Sequence, residues 1–282
     1  LVEHAEPFAS VLNRVSGFRL EVYKQRGWTN KLHEMLEQNR IQEQSLETMM
    51  TVIQDNKHMI KQFLERKAEL LKTEKLGWYD LLAPTFKSGT KVSYQEAIET
   101  VTNQFHQFHE KVGNFAKKAF ENQWIDVENR ENKAPGGFCA YMPLAKESRI
   151  FLTFGGNYQD IVTIAHELGH AYHNEIMKEE PFFAQQKGTS VAETASTFME
   201  NMVLDAAIDN AKDEKEKLSL LEYKILGGIL YLGMVPFMFE FEKELYEKRK
   251  AGFVSAEEMV DLMDKHYTNY FTDIVGDKDN YR

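Results

Sequence analysis

Two histidines four residues apart with a glutamate beside the first, His166-Glu167-Leu168-Gly169-His170, are the residues in this sequence best placed to do chemistry. On a helix, positions four apart stand one turn above each other, with Cβ atoms roughly 5–6 Å apart. Two imidazoles so placed can close on one ion through bonds of about 2.0–2.1 Å. Glu167 then reaches a water activated by that ion without being a ligand itself. The flanks Ile164-Ala165 and Ala171-Tyr172 carry no charge, as expected of a helix set into a core. Burying two histidines and a glutamate there is costly unless a metal satisfies them.

Catalytic zinc takes three protein ligands and leaves a fourth position for water. His173 shares the face of 166 and 170, but seven residues of helix rise about 10.5 Å, too far for one ion. His173 also stands where the metzincin pattern has Gly, and Ile176 where that pattern has its third His. Cys139 is the one cysteine, so the third ligand to a single Zn2+ is expected to be a carboxylate. Glu193 follows His166 by 27 residues, near the start of the next expected helix. Its spacing to Ser190 also fits a capping box, in which it would only serve the helix terminus. Glu200, one heptad on and on the same face, is the alternative. Glu175, Glu179 and Glu180 lie too near the motif helix to fold back onto it.

The elements that must position these residues are mostly helical. Apolar residues recur at three- and four-residue spacing through Val11, Leu12, Val15, Phe18 and Val22, and again through Met59, Ile60, Phe63 and Leu64. This predicts long amphipathic hairpins over residues 1–76, with breaks at Gly27 and Asn39-Arg40. A connector with Pro84 and Gly89 follows. Ser93 with Glu96 reads as a capping box for a helix running through Phe108, on which His106 and His109 read as surface or packing residues. Residues 126–143 break the helical rhythm. Ser148–Phe154 is the clearest strand, and Arg149–Phe154 is expected either to offer an edge to a peptide or to lie as an ordinary buried strand under the motif helix. Helices are then expected over 159–177, 190–210, 218–250 and 256–270. The pattern predicts a mainly α chain with a short β-sheet beside the motif helix, divided as 1–76 and 77–282.

Composition narrows the partners. Acidic residues outnumber basic ones 44 to 34, for a formal charge of −10, which argues against nucleic acid, whose phosphates need clustered Lys and Arg. Ile225–Phe239 is uncharged but only 15 residues long, with three glycines and Pro236. A spanning helix needs about 20, so no membrane partner is expected and the run reads as a buried helix kinked at Pro236. One cysteine and no signal-like start, since Leu1–Leu20 mixes charged with apolar residues, fit a cytoplasmic setting.

The stretch Ser148–His173, SRIFLTFGGNYQDIVTIAHELGHAYH, resembles the oligoendopeptidase F branch of the thimet-oligopeptidase family of zinc peptidases. Ala192-Glu193-Thr194-Ala195-Ser196-Thr197-Phe198-Met199-Glu200 resembles that family's second motif, whose leading Glu is the third zinc ligand, and Trp78–Pro84 is similar to a segment upstream in those enzymes. The resemblance implies a multi-helix zincin-type lobe of a clam-like molecule with a deep channel, to whose wall residues 1–76 contribute. It implies zinc held by His166, His170 and Glu193, with Glu200 orienting a ligand, and Glu167 as general base in the hydrolysis of short peptides. It further implies helical sequence before Leu1 and a His- and Tyr-bearing segment after Arg282; His266-Tyr267 with Tyr270 matches that segment poorly. A zinc-binding module without turnover and a related helical zinc carboxypeptidase are the alternatives.

Overall fold

The computed structural model describes residues 2–86, 91–271 and 274–276; Gly89 of the expected connector lies outside them. Contacts divide the chain into two compact units, one formed by residues 1–86 with 222–282 and the other by residues 87–221. The expected segment 1–76 falls within the first unit, which also takes in the C-terminal helices.

In the first unit, α1 (Ala5–Gln25), α2 (His33–Asn39), α3 (Glu43–Asn56) and α4 (His58–Leu71) follow one another. Gly27 (φ 71°) and Arg40 (φ 55°) take left-handed backbone at the two expected breaks. α1 does not bury the expected stripe. Phe8, Val11, Leu12, Val15 and Phe18 are exposed, whereas Ala9, Asn13, Ser16 and Tyr23 are buried. Small side chains let α1 pack closely on the two C-terminal helices, and Asn13 pairs with both the N–H and the C=O of Val254 (2.9 and 2.7 Å).

Those C-terminal helices are α10 (Val235–Ala251) and α11 (Ala256–Phe271). The helical run Glu214–Ala251 passes through a π-helical turn at Leu230–Met234, directly before Pro236, whose missing N–H cannot continue an α ladder. The run is long and apolar enough to cross a membrane by length and composition, and 22% of its most apolar window is buried. The expected burial is therefore partial: Ile229, Gly233 and Phe237 are inside, while Ile225, Tyr231 and Val235 are exposed. His266 and Tyr270 belong to this unit, the first 2.8 Å from Glu244 Oε2 and the second hydrogen-bonded to Gln54.

The second unit begins with α5 (Tyr94–Phe108), capped by Ser93 and Glu96 as the sequence indicates, and α6 (Glu110–Glu121). His106 bridges Thr102 O and Asn114 Oδ1, and His109 caps α6 through Lys111 N–H, so both are structural. Three strands follow: β1 (Ile125–Asp126), β2 (Gly137–Met142) and β3 (Glu147–Leu152). β3 lies in the middle, parallel to β1 and antiparallel to β2. Ser148, Ile150 and Leu152 alternate inward along it. The motif helix α7 (Tyr158–Met177), capped by Asn157 and Asp160, packs on β2, β3 and α8 (Thr189–Asp209). α9 (Glu214–Ile229) comes next. Ile161, Ile164, Ala165, Leu168, Met199 and Val203 fill the core of this unit.

Candidate metal centre

α7 turns Ile164, Ala165 and Leu168 into the core and leaves His166 and His170 half-buried on the adjoining face. Their rings meet edge to face at 4.9 Å. What brings α8 to them is a glycine. A Cβ on Gly169 would lie 2.6 Å from Ser196 Cα and 2.7 Å from Ala195 O, so only a bare backbone permits the crossing. One turn before that crossing, Glu193 Oε2 lies 3.4 Å from Nε2 of both His166 and His170. The three donor atoms fall within 4.8 Å of one another.

Two imidazole nitrogens and a carboxylate oxygen are a donor set that zinc accepts, and bonds of about 2.0–2.2 Å at tetrahedral angles put donors roughly 3.4 Å apart. The residues therefore fit a metal ion. A second observation agrees: Glu167 is 5% exposed, and its Oε2 is buried without a hydrogen-bond partner among the described residues. An orphaned carboxylate oxygen is expensive unless a bound group meets it.

Two of the three donors are held by a further side-chain hydrogen bond. His166 Nδ1 lies 3.1 Å from Glu200 Oε2; with its proton there, Nε2 keeps a free lone pair. This hydrogen bond is the main reason the His166 pKa is raised. His170 is shifted the other way, chiefly by burial. Ser196 Oγ sits 2.8 Å from Glu193 Oε2, fixing that carboxylate, and also 2.9 Å from the Glu193 carbonyl. The Glu167 pKa is pushed up to about 6, mostly by burial, with Glu193 adding to the rise and His166 opposing it.

Spacing alone left Glu193 and Glu200 as rivals for one role; the structure brings both to the histidines, at different nitrogens. His173 stays outside the donor cluster. Glu175 pairs with Lys178 and Glu179 with Lys146. Sequence reasoning missed Gly169 and Ser196, although a glycine inside a helix and a serine three residues after a candidate ligand were both visible. It also missed β2. β3 is flanked on both sides, whereas the outer edge of β2 has no strand partner among the described residues. β2 starts beside the site: a Cβ on Gly137 would lie 3.2 Å from Glu167 Oε1.

Comparison with known proteins agrees with this architecture. The chain is 24% identical over 265 residues to the chromosomal oligoendopeptidase F of Lactococcus lactis subsp. cremoris, covering 90% of this chain and 42% of that protein. It is 26% identical over 221 residues to oligopeptidase PepF of Bacillus subtilis (strain 168), covering 77% and 32%. The solved structure of PZ peptidase A with an inhibitor superposes with a TM-score of 0.82 at 21% identity, over 99% of this chain and 50% of that one. The chain thus spans less than half the length of these curated relatives. The profile described as Peptidase family M3 matches residues 3–282, and the chain belongs to that family.

Proposed function

We propose that this chain carries the zinc centre of a peptidase that cuts short peptides internally, with one Zn2+ held by His166, His170 and Glu193 and with Glu167 as general base. The observation that carries the reading is the orphaned, buried Glu167 oxygen beside a cluster of three ligand atoms. The ion, when bound, supplies Lewis acidity, bringing the pKa of water toward 7 and polarising the scissile carbonyl. Glu200 and Ser196 hold His166 and Glu193 in ligating orientation. Glu167, its pKa raised to about 6 by burial, takes the proton of the attacking water and delivers it to the leaving amine. The outer edge of β2, which has no strand partner among the described residues, receives the peptide as an added strand, through main-chain hydrogen bonds that read little of its side chains.

Glu167→Gln in zinc-loaded protein tests the scheme with an end-blocked, internally quenched peptide. Zinc stays near one per chain and cleavage is lost; turnover that survives the substitution removes Glu167 from the base role. The same peptide separates the alternatives. No cleavage by the unsubstituted chain indicates a zinc-binding module, and cleavage confined to free C-termini indicates a carboxypeptidase.

A further inference from the structure

Lys187, in the loop before α8, stands out in an acidic chain. It is half-buried, and its Nζ donates to Asn174 Oδ1 at 3.0 Å. Asn174 in turn donates to the buried Ser148 hydroxyl on β3 (3.3 Å), so the ammonium is fixed to both the motif helix and the sheet. Among the described residues no carboxylate pairs with it, although the sequence holds 44 acidic residues and most other half-buried cations here have found one. Asn174 follows His170 by one turn of α7, so the bond to its side chain sets the ammonium one helical turn beyond the candidate donor cluster, on the flank where α7 packs on β3. On the same helix, the ring Nδ1 of His173 is buried without a partner among the described residues. The first turn of α8 contains no acidic residue, so the positive end of the helix adds potential of the same sign.

A fixed ammonium without a counter-ion, beside a centre that handles peptides, calls for an anion that arrives with the substrate. We propose that Lys187 is a specificity-determining residue that receives a peptide carboxylate, either an acidic side chain or a free C-terminus; the substrate class rests on the peptidase reading above. The neutral amide of the same peptide lacks the charge and binds less well.

The test measures binding, so that it stands apart from turnover. Zinc-loaded Glu167→Gln protein is titrated with end-blocked peptides in which Glu is walked along a neutral sequence, with their Gln counterparts, and with a Gln peptide ending in a free carboxylate. At one position the carboxylate peptide binds about tenfold more tightly than its amide, the size of effect a half-buried charge pair gives. Which peptide gains identifies the source. Lys187→Met brings both peptides to the amide level while zinc stays at one per chain, and Lys187→Arg keeps the gap. Lys187→Glu moves the preference to a peptide carrying Lys. Equal affinities for carboxylate and amide peptides, a gap that survives Lys187→Met, or binding of neither peptide overturns the assignment. Failure of the unsubstituted chain to cleave any peptide counts instead against the peptidase reading.

Discussion

Gly169 and Ser196 touch backbone to backbone across α7 and α8, with room for no more than a hydrogen at the α-carbon of residue 169. This contact sets the depth at which α8 lies against the motif helix, and so the distance from Glu193 to the two histidines. The cluster of candidate ligand atoms is in this sense built on a residue that contributes none of them.

Gly169→Ala therefore costs stability and ligand geometry together. The added methyl meets Ala195 O and the Ser196 backbone, which are not free to swing away, and overpacking of this kind costs roughly 1–3 kcal/mol. Chemical denaturation reads that loss, and chelator competition reads a weaker zinc affinity in the same variant. Gly227→Ala is the control. It lies in α9 with nothing within 4 Å of a built Cβ, so removing a helical glycine stabilises by about 0.5–1 kcal/mol. Equal effects at the two positions would show that the α7–α8 contact is not what limits residue 169.

Glu200→Ala separates the two glutamates of α8. If Glu193 is the ligand and Glu200 orients His166, the loss of Glu200 lowers zinc affinity by about tenfold to a hundredfold while stoichiometry stays at one. Glu193→Ala instead removes a donor, and stoichiometric binding fails. His166, whose pKa is raised first of all by Glu200, titrates lower in the metal-free Glu200→Ala protein, a shift that histidine NMR follows. A larger affinity loss at Glu200 than at Glu193 reverses the roles.

The parts legible in the sequence were those decided by local rules. The Ser93–Glu96 box, the strand ending before Gly155-Gly156 and the span of α7 follow from capping, β-branching and periodicity. What local rules do not carry is which surface meets which. Val11, Val15 and Phe18 read as a core stripe, yet α1 packs through Ala9, Asn13 and Ser16, because close helix approach selects small side chains. β2 contains Gly137, Cys139 and Ala140, none a strong strand former, and is a strand because it pairs with β3. Glu193 and Glu200 share a helix face, and only the position of the α7–α8 crossing decides which reaches Nε2 and which Nδ1.

Away from the metal cluster, Lys67 and Glu222 form a buried pair whose halves are not equivalent. Lys67 is 2% exposed, lies 4.0 Å from Glu222 Oε1 and donates to Leu81 O and Ala83 O. Glu222 accepts the backbone N–H groups of Thr85 and Phe86 at 2.8–2.9 Å. Glu222→Ala strands a buried ammonium and two backbone donors at once, and costs about 3 kcal/mol or more. Lys67→Met leaves the carboxylate with both N–H donors and costs less. Urea denaturation of the two variants checks the order; a Lys67→Met loss as large as that of Glu222→Ala would place the stability in the lysine contacts.

Glu167 links chemistry to stability through pH. Its carboxyl, buried and shifted up to about 6 from 4.5, holds a proton in the folded metal-free chain that the unfolded chain has already released. Between those values the native state binds more protons than the unfolded state, so stability falls as pH rises through the window and levels off above about 6. A shift of this size is worth about 2 kcal/mol at neutral pH. Glu167→Gln does not ionise. The metal-free variant is therefore more stable than the unsubstituted chain at pH 7.5 by up to that amount, and the two converge toward pH 4.5. His166 contributes a slope of the same sign, since its raised pKa gives stability that is lost as pH climbs through it. Taking the difference between the two proteins at each pH removes most of that slope and leaves the Glu167 contribution. Denaturant titrations with a chelator present give both curves, and a variant no more stable than the parent at pH 7.5 would mean that the buried carboxylate is solvated in the free chain and carries no strain for a bound ion to relieve.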